Sequence, residues 1–190
     1  MKNHKQFMPG TMHLVVPTGK HGEAEIVHES PDRFTRLHGA IHGQPLECNK
    51  YTRLVIGGTL WMTDAEFEWR TSLTAVRKMR GDVLIIGLGI GFILSPIYRR
   101  RDISSVTVIE KSADVILLVA PCFPGVTVIE ADAYKWTPPK CAFDVIYFDI
   151  WPNIPNADDW ADIKKLKRKY RSALRTGGWI AAWCEDYARR

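Results

Sequence analysis

Asp82-Val83-Leu84-Ile85-Ile86-Gly87-Leu88-Gly89-Ile90-Gly91 joins a buried strand to a turn cornered by three glycines. The four apolar residues Val83 to Ile86, three of them β-branched, predict a strand covered on both faces. Gly87, Gly89 and Gly91 then let the backbone turn sharply and approach a ligand where a Cβ would collide. Phe92 to Arg100 is predicted to continue as a helix, its free N–H groups facing whatever sits over the turn. About 20 residues beyond the first glycine, the spacing of a βαβ unit's acceptor for ribose hydroxyls, Glu110 closes the next apolar run, Val106-Thr107-Val108-Ile109. Strand, turn and terminal acid together point to an adenosine-containing ligand. Taken alone, the glycines also fit a nicotinamide dinucleotide, or a turn needed only for close helix–strand packing.

Outward from this unit, strands and helices alternate. Strand 105–109 leads to a helix over about 112–120, capped by Ser112 and closed by Pro121 and Pro124. Strand 126–129 ends at Glu130-Ala131-Asp132, and strand Phe143–Phe148 ends at Asp149. A basic helix over 157–175 finishes at Gly177-Gly178, and Trp179 to Trp183 is the fifth strand. Such alternation implies an α/β, Rossmann-like, doubly wound parallel sheet with helices on both faces. Upstream, Asp64 to Met79 is predicted helical, with Thr63 or Asp64 as N-cap. Residues 1–63 show no helix signal. His13–Val16, Ala24–Val27 and Tyr51–Met62 read as short strands, with turns at Pro17–Gly22 and Gly57-Gly58. The expected organisation is an antiparallel β appendage over residues 1–63 and a nucleoside-binding domain over 64–190. Ligands of open parallel sheets sit beyond the carboxyl ends of the strands. The glycine turn, Glu110 with Lys111, Asp132 with Ala133, and Asp149 all fall there.

The 190 residues are 46% hydrophobic and 25% charged, the balance of a soluble globular domain. A net charge of +5 would suit an acidic substrate or nucleic acid. Much of it, however, lies in Lys164-Lys165-Leu166-Lys167-Arg168-Lys169-Tyr170-Arg171. Trp160, Ile163, Leu166, Tyr170 and Leu174 recur there at helical spacing, so the segment reads first as the solvated face of an amphipathic helix and second as a surface for an acidic partner. Nucleic acid is therefore not the favoured partner. Cys48, Cys122, Cys141 and Cys184 show no ligand spacing, which suggests reduced thiols in a cytoplasmic protein. The six histidines (His4, His13, His21, His28, His38, His42) form no paired motif, so no metal site is expected. No apolar run is long enough to span a bilayer, and no leader is recognisable.

The region Leu54 to Cys184 resembles the spermidine synthase branch of the class I S-adenosylmethionine (SAM) dependent transferases. The glycines run G-x-G-x-G, as in the first motif of that superfamily, and not G-x-G-x-x-G. Leu54-Val55-Ile56-Gly57-Gly58-Thr59-Leu60-Trp61-Met62-Thr63 resembles the branch's strand L-V-L-D-G-V-I-Q-L-T, and Asp64-Ala65-Glu66-Phe67 its D-E-F segment. Val108-Ile109-Glu110 resembles the strand carrying the ribose-binding acid. Ala131-Asp132-Ala133 is similar to the pair whose Asp meets the adenine amine. Phe143-Asp144-Val145-Ile146-Tyr147-Phe148-Asp149 resembles Y-D-V-I-I-V-D, whose last Asp helps accept the amine proton. The resemblance implies the class I fold, with SAM or decarboxylated SAM as the donor.

The departures fall on the acceptor side. The branch's diamine-binding Gln falls at Trp61, and its Tyr-His pair near Trp69-Arg70. Its D-S-x-D-P sequence is here Asp149-Ile150-Trp151-Pro152-Asn153, without a second carboxylate. Ile90 stands where the branch has an Asp that contacts the ligand's amino group. With the fifth strand read at Trp179–Trp183, the antiparallel strand pair that completes class I sheets is expected to be missing. That leaves the strand at Trp179–Trp183 as an edge which a second copy could cover, in a homodimer.

In-line transfer from a sulfonium needs alignment of donor and acceptor and removal of a proton. Asp149 is the candidate for that proton, against a role as turn residue or N-cap. Trp61, Trp69, Trp151 and Asn153 are candidates for the acceptor wall, Trp151 equally for packing. Glu130 competes with Asp132 for the adenine. Three classes stand open: methyl transfer to a small or acidic acceptor, aminopropyl transfer from decarboxylated SAM, and non-catalytic nucleoside binding.

Overall fold

A computed structural model describes residues 7–43 and 45–189. It contains two sheets. The first is antiparallel, in the order β1 (Gly19–His21), β2 (Ala24–Glu29), β3 (Tyr51–Ile56) and β4 (Thr59–Thr63). Gly57 and Gly58, both at positive φ, make the tight turn between β3 and β4. The second sheet is parallel: β7 (Thr127–Glu130), β6 (Ile103–Glu110), β5 (Gly81–Ile86), β8 (Phe143–Phe148) and β9 (Leu174–Ala182), in that order. Strand order reverses between β5 and β8, where doubly wound sheets hold their ligands. The predicted strands 82–86, 105–109 and 143–148 lie inside this sheet, and 126–129 does so from Thr127.

Period-two alternation sorts the central strands onto two faces. Val83, Ile85, Val108, Val145 and Tyr147 pack on one side with α2 (Glu66–Lys78), α3 (Ala113–Val119) and the antiparallel sheet. Leu84, Ile86, Ile109, Ile146 and Phe148 face the other, against Ile163, Leu166 and Tyr170 of α4 (Asp159–Tyr170). The cations of α4 lie outside that stripe, as an amphipathic helix requires. Several are engaged by the protein itself: Lys167 pairs with Glu185 at 2.7 Å, and Lys169 reaches the carbonyl of Tyr134 at 2.7 Å.

Four local expectations are corrected. Phe92–Arg100 is a run of turns and not a helix: Pro96 has no N–H for the Phe92 carbonyl, although Ser95 still bonds Gly91 and Tyr98 still bonds Leu94. The N-terminal region does contain helix. Arg33–Ile41 forms α1, capped by the Asp32 carboxylate on the Thr35 N–H at 2.7 Å. His13 and Leu14 belong to a 3₁₀ turn over Met12–Leu14, and the segment read as pure turn, Pro17–Gly22, contains β1. Asp64 does not cap α2, whose N-cap is Ala65. Its buried carboxylate instead accepts from Thr52 N and Met12 N, at 2.6 and 2.8 Å, and so ties the 3₁₀ turn to β3. Finally, α4 ends at Tyr170, and a 3₁₀ turn leads into β9 at Leu174, so Gly177-Gly178 lies within the strand. A short helix, α5 (Glu185–Ala188), follows.

The layers are joined by Asp114 at the start of α3. Its carboxylate accepts from the Glu23 N–H at 3.0 Å and lies 2.8 Å from His21 Nδ1, which brings the β1–β2 turn against the parallel sheet. All four cysteines are free. Among the described residues no helix is long and apolar enough to cross a membrane. No group of three or more metal-ligating side chains comes together there either; His4 lies outside the described residues.

Candidate functional site

A cavity of about 520 Å³ opens at the carboxyl edge of β5 to β8, beside the reversal in strand order. Each strand contributes at its end. β5 gives Gly87 and Gly89, β6 gives Glu110, Lys111 and Ser112, the segment after β7 gives Ala131 to Tyr134, and β8 gives Asp149, Ile150 and Trp151. The antiparallel sheet closes the mouth with Leu54, Ile56, Trp61 and Met62, and α2 adds Glu68.

The glycine turn is fitted to its neighbours at each corner. All three glycines have positive φ. A Cβ on Gly87 would strike the Asp149 carbonyl, one on Gly89 the Met62 sulfur, and one on Gly91 the Phe123 ring. Gly87 and Gly89 therefore line the cavity, while Gly91 serves packing beneath it. Glu110 braces the same turn. One oxygen accepts from Leu88 N at 2.9 Å and the other from Ser112 N at 2.8 Å. Each oxygen keeps a further lone pair, so the carboxylate can hold the turn and still accept from a diol. Lys111 lies with its ammonium 5.7 Å from the Trp61 ring centre, a cation–π contact across the mouth.

Asp132 lines the cavity and Glu130 does not. Asp132 Oδ1 accepts from Tyr134 N at 2.8 Å, closing a local turn. That turn is pinned from behind: Tyr170 OH donates to the carbonyl of Ala133 at 2.9 Å, beside the Lys169 ammonium. Buried Ala133 thus holds the far wall in register.

At the opposite end stand two carboxylates. Burial lifts the Asp149 carboxyl to about 7. Burial, and then the charge of Asp149, lift Glu68 to about 8. Near neutral pH both groups are therefore at least partly protonated. Trp151 and Trp183 flank them, and the Trp183 indole N–H is fixed by Thr71 Oγ1 at 3.0 Å. Sequence reasoning missed Glu68. Its place in the first turn of α2, two residues from Glu66, reads as an acid complementing the helix dipole. The signal available was its setting between Phe67 and Trp69, aromatic neighbours unusual for a solvated acid.

Two predicted acceptor residues stand elsewhere. Trp69 does not line this cavity; its indole N–H donates to the Phe7 carbonyl at 2.9 Å and its ring packs on the core. Asn153 faces a neighbouring cavity of about 450 Å³, which shares Trp61, Met62, Glu68 and Trp183 with the first.

No protein-family model and no curated protein matches the chain. Solved structures do. Spermidine synthase from Thermotoga maritima is similar over 87% of this chain and 55% of its own, at 17% identity with a TM-score of 0.55. DhpI in complex with SAH is similar over 62% of this chain and 56% of its own, at 23% identity with a TM-score of 0.50. The chain thus spans little more than half the length of these structures. The fold is the Rossmann-like α/β arrangement shared with these two structures. At these identities the likeness is one of architecture, and the chemistry must be argued from the cleft itself.

Proposed function

We propose that the chain is a SAM-dependent transferase that moves a methyl group to a small acceptor in the cleft between Glu110 and Asp149. The supporting observation is the convergence of four strand ends on one cavity, with a glycine turn, Glu110, Asp132 and the two carboxyl groups of Glu68 and Asp149 in its lining. The cleft fits an adenosyl group: Glu110 and Asp132 offer acceptors for a diol and an exocyclic amine, and the backbone of Gly87 and Gly89 lines the floor between them.

SAM, when bound, supplies a methyl carbon on a sulfonium that departs as a neutral thioether. The remaining work is alignment and proton transfer. Asp149, with its carboxyl near 7, can take a proton from an acceptor nitrogen or oxygen at neutral pH, and Glu68 lines the same cavity. Among the described residues Lys111 is the single cation lining the cavity, and it is next to Glu110 in the chain. The acceptor end is acidic and aromatic, which favours a small amine over an acidic acceptor. Aromatic walls hold a cation by roughly 0.5–2 kcal/mol.

Aminopropyl transfer from decarboxylated SAM is the second reading, because the Thermotoga spermidine synthase is similar over 87% of this chain and DhpI over 62%. Against it, Trp61 replaces a diamine-binding Gln, and Glu68 and Asp149 sit together at one end, where a diamine needs partners at both. The experiment is direct. The purified protein is titrated calorimetrically with SAM, decarboxylated SAM, methylthioadenosine and NAD, then assayed for transfer from methyl-labelled SAM to a panel of small amines. Methyl transfer with putrescine a poor acceptor is the expected outcome. Efficient spermidine formation from putrescine and decarboxylated SAM would replace the first reading with the second.

A further inference from the structure

The order of the strand ends fixes how an adenosyl group would lie. Base against Asp132 beyond β7 and ribose on Glu110 of β6 direct the 5′ carbon across β5, over Gly87–Gly91, toward Asp149 of β8. That place is taken by the chain itself. Met62 reaches over from β4, and its thioether accepts from the Ile90 N–H at 3.3 Å. The same sulfur stands so close to Gly89 that no Cβ fits between them. Met62 also lies on the border of the two cavities, lining both. Beneath it the turn presents Leu88 and Ile90, buried and apolar, so no side chain of the turn is available to a charged tail.

We propose that Met62 is a specificity-determining gate over the glycine turn. A nucleoside with a short 5′ group binds beside the Met62 thioether without displacing it. One with an amino-acid tail binds only after the thioether gives up the Ile90 amide and swings toward the second cavity. The cost of that movement is subtracted from the affinity for long 5′ substituents alone. Methionine suits the task, because three rotatable bonds and a weak acceptor sulfur let it leave at small cost.

The inference rests on the adenosyl reading, and its test separates the two. Wild type, Met62→Ala and Met62→Val are titrated with methylthioadenosine and with S-adenosylhomocysteine, which share the nucleoside and thioether and differ in the tail. Opening the gate should tighten S-adenosylhomocysteine binding about tenfold in Met62→Ala, a change on the scale of about 1.4 kcal/mol, and leave methylthioadenosine within about threefold. Met62→Val, shorter yet suited to a strand, should show the same direction and guards against loss of fold in the alanine variant. A ratio of the two affinities unchanged in both variants would overturn the gate and leave the adenosyl reading standing. Absence of binding by either nucleoside to all three proteins would overturn both.

Discussion

Glu110 does two things with one carboxylate: it braces the Leu88 and Ser112 amides and offers remaining lone pairs to the cleft. In Glu110→Ala both are lost, and nucleoside affinity should fall by roughly 1.5–3 kcal/mol for each charged hydrogen bond removed. Glu110→Gln keeps one carbonyl oxygen and should fall between; unchanged affinity in a folded alanine variant would remove this residue from the site. Asp149 makes a different forecast. Its carboxyl and that of Glu68 are raised on folding, from 3.8 to about 7 and from 4.5 to about 8. Between about pH 4 and 8 the folded chain therefore binds more protons than the unfolded one, and this contribution to stability declines as pH rises. Asp149→Asn should abolish turnover, leave methylthioadenosine binding nearly intact and raise stability at pH 8 by roughly 1–2 kcal/mol, with the gain shrinking toward pH 5. Thermal melts of both proteins across that range decide the matter. An Asn variant less stable than wild type at pH 8 would show that the fold favours the charged form. Neither raised carboxyl is legible in the sequence, because each depends on neighbours brought together by the fold.

At the scale of elements, the parallel strands were readable because each is a compact apolar run closed by an acid or a glycine, with no competing period. Where tertiary contact decides, local patterns mislead. Asp64 has a good capping side chain, yet Thr52 and Met12 claim its oxygens. Phe92–Arg100 has helical composition, yet Pro96 breaks its ladder. α1 is short, and it carries Phe34, Leu37 and Ile41 at helical spacing behind the Asp32 cap, a signal that the reading of residues 1–63 as strands and turns passes over; all three are exposed. The glycine turn allows a graded test of close fit. Gly91→Ala combines a positive φ with a collision on Phe123 and should cost about 2–4 kcal/mol. Gly177→Ala, also at positive φ but with open space around it, should cost about 1 kcal/mol. Denaturant melts that ranked the two alike would mean that Phe123 moves aside freely.

At the scale of the whole molecule, the parallel sheet has β9 at one edge and β7, only four residues long, at the other. Tyr147 stacks on Trp179 of β9 at 6.1 Å between ring centres, and the Lys78 ammonium lies 5.0 Å over the same indole, so that edge is apolar with a charged border. Unpaired strand edges invite pairing, and a homodimer through β9 or through the antiparallel sheet is the expected state. Light scattering that returned a monomer at a few tens of micromolar, roughly the range for weak contacts, would count against it. The crowding of indoles around the cleft gives the molecule an optical property as well. Of its seven tryptophans, Trp61, Trp151 and Trp183 line the cavity, whereas Trp69, Trp136, Trp160 and Trp179 do not. An adenine seated beside Asp132, or a cation beside Asp149, changes the surroundings of the first three and leaves the other four as an internal reference. Ligand capture should then appear as a partial quench of intrinsic emission, without any label, and Trp151→Phe should diminish the amplitude more than Trp160→Phe.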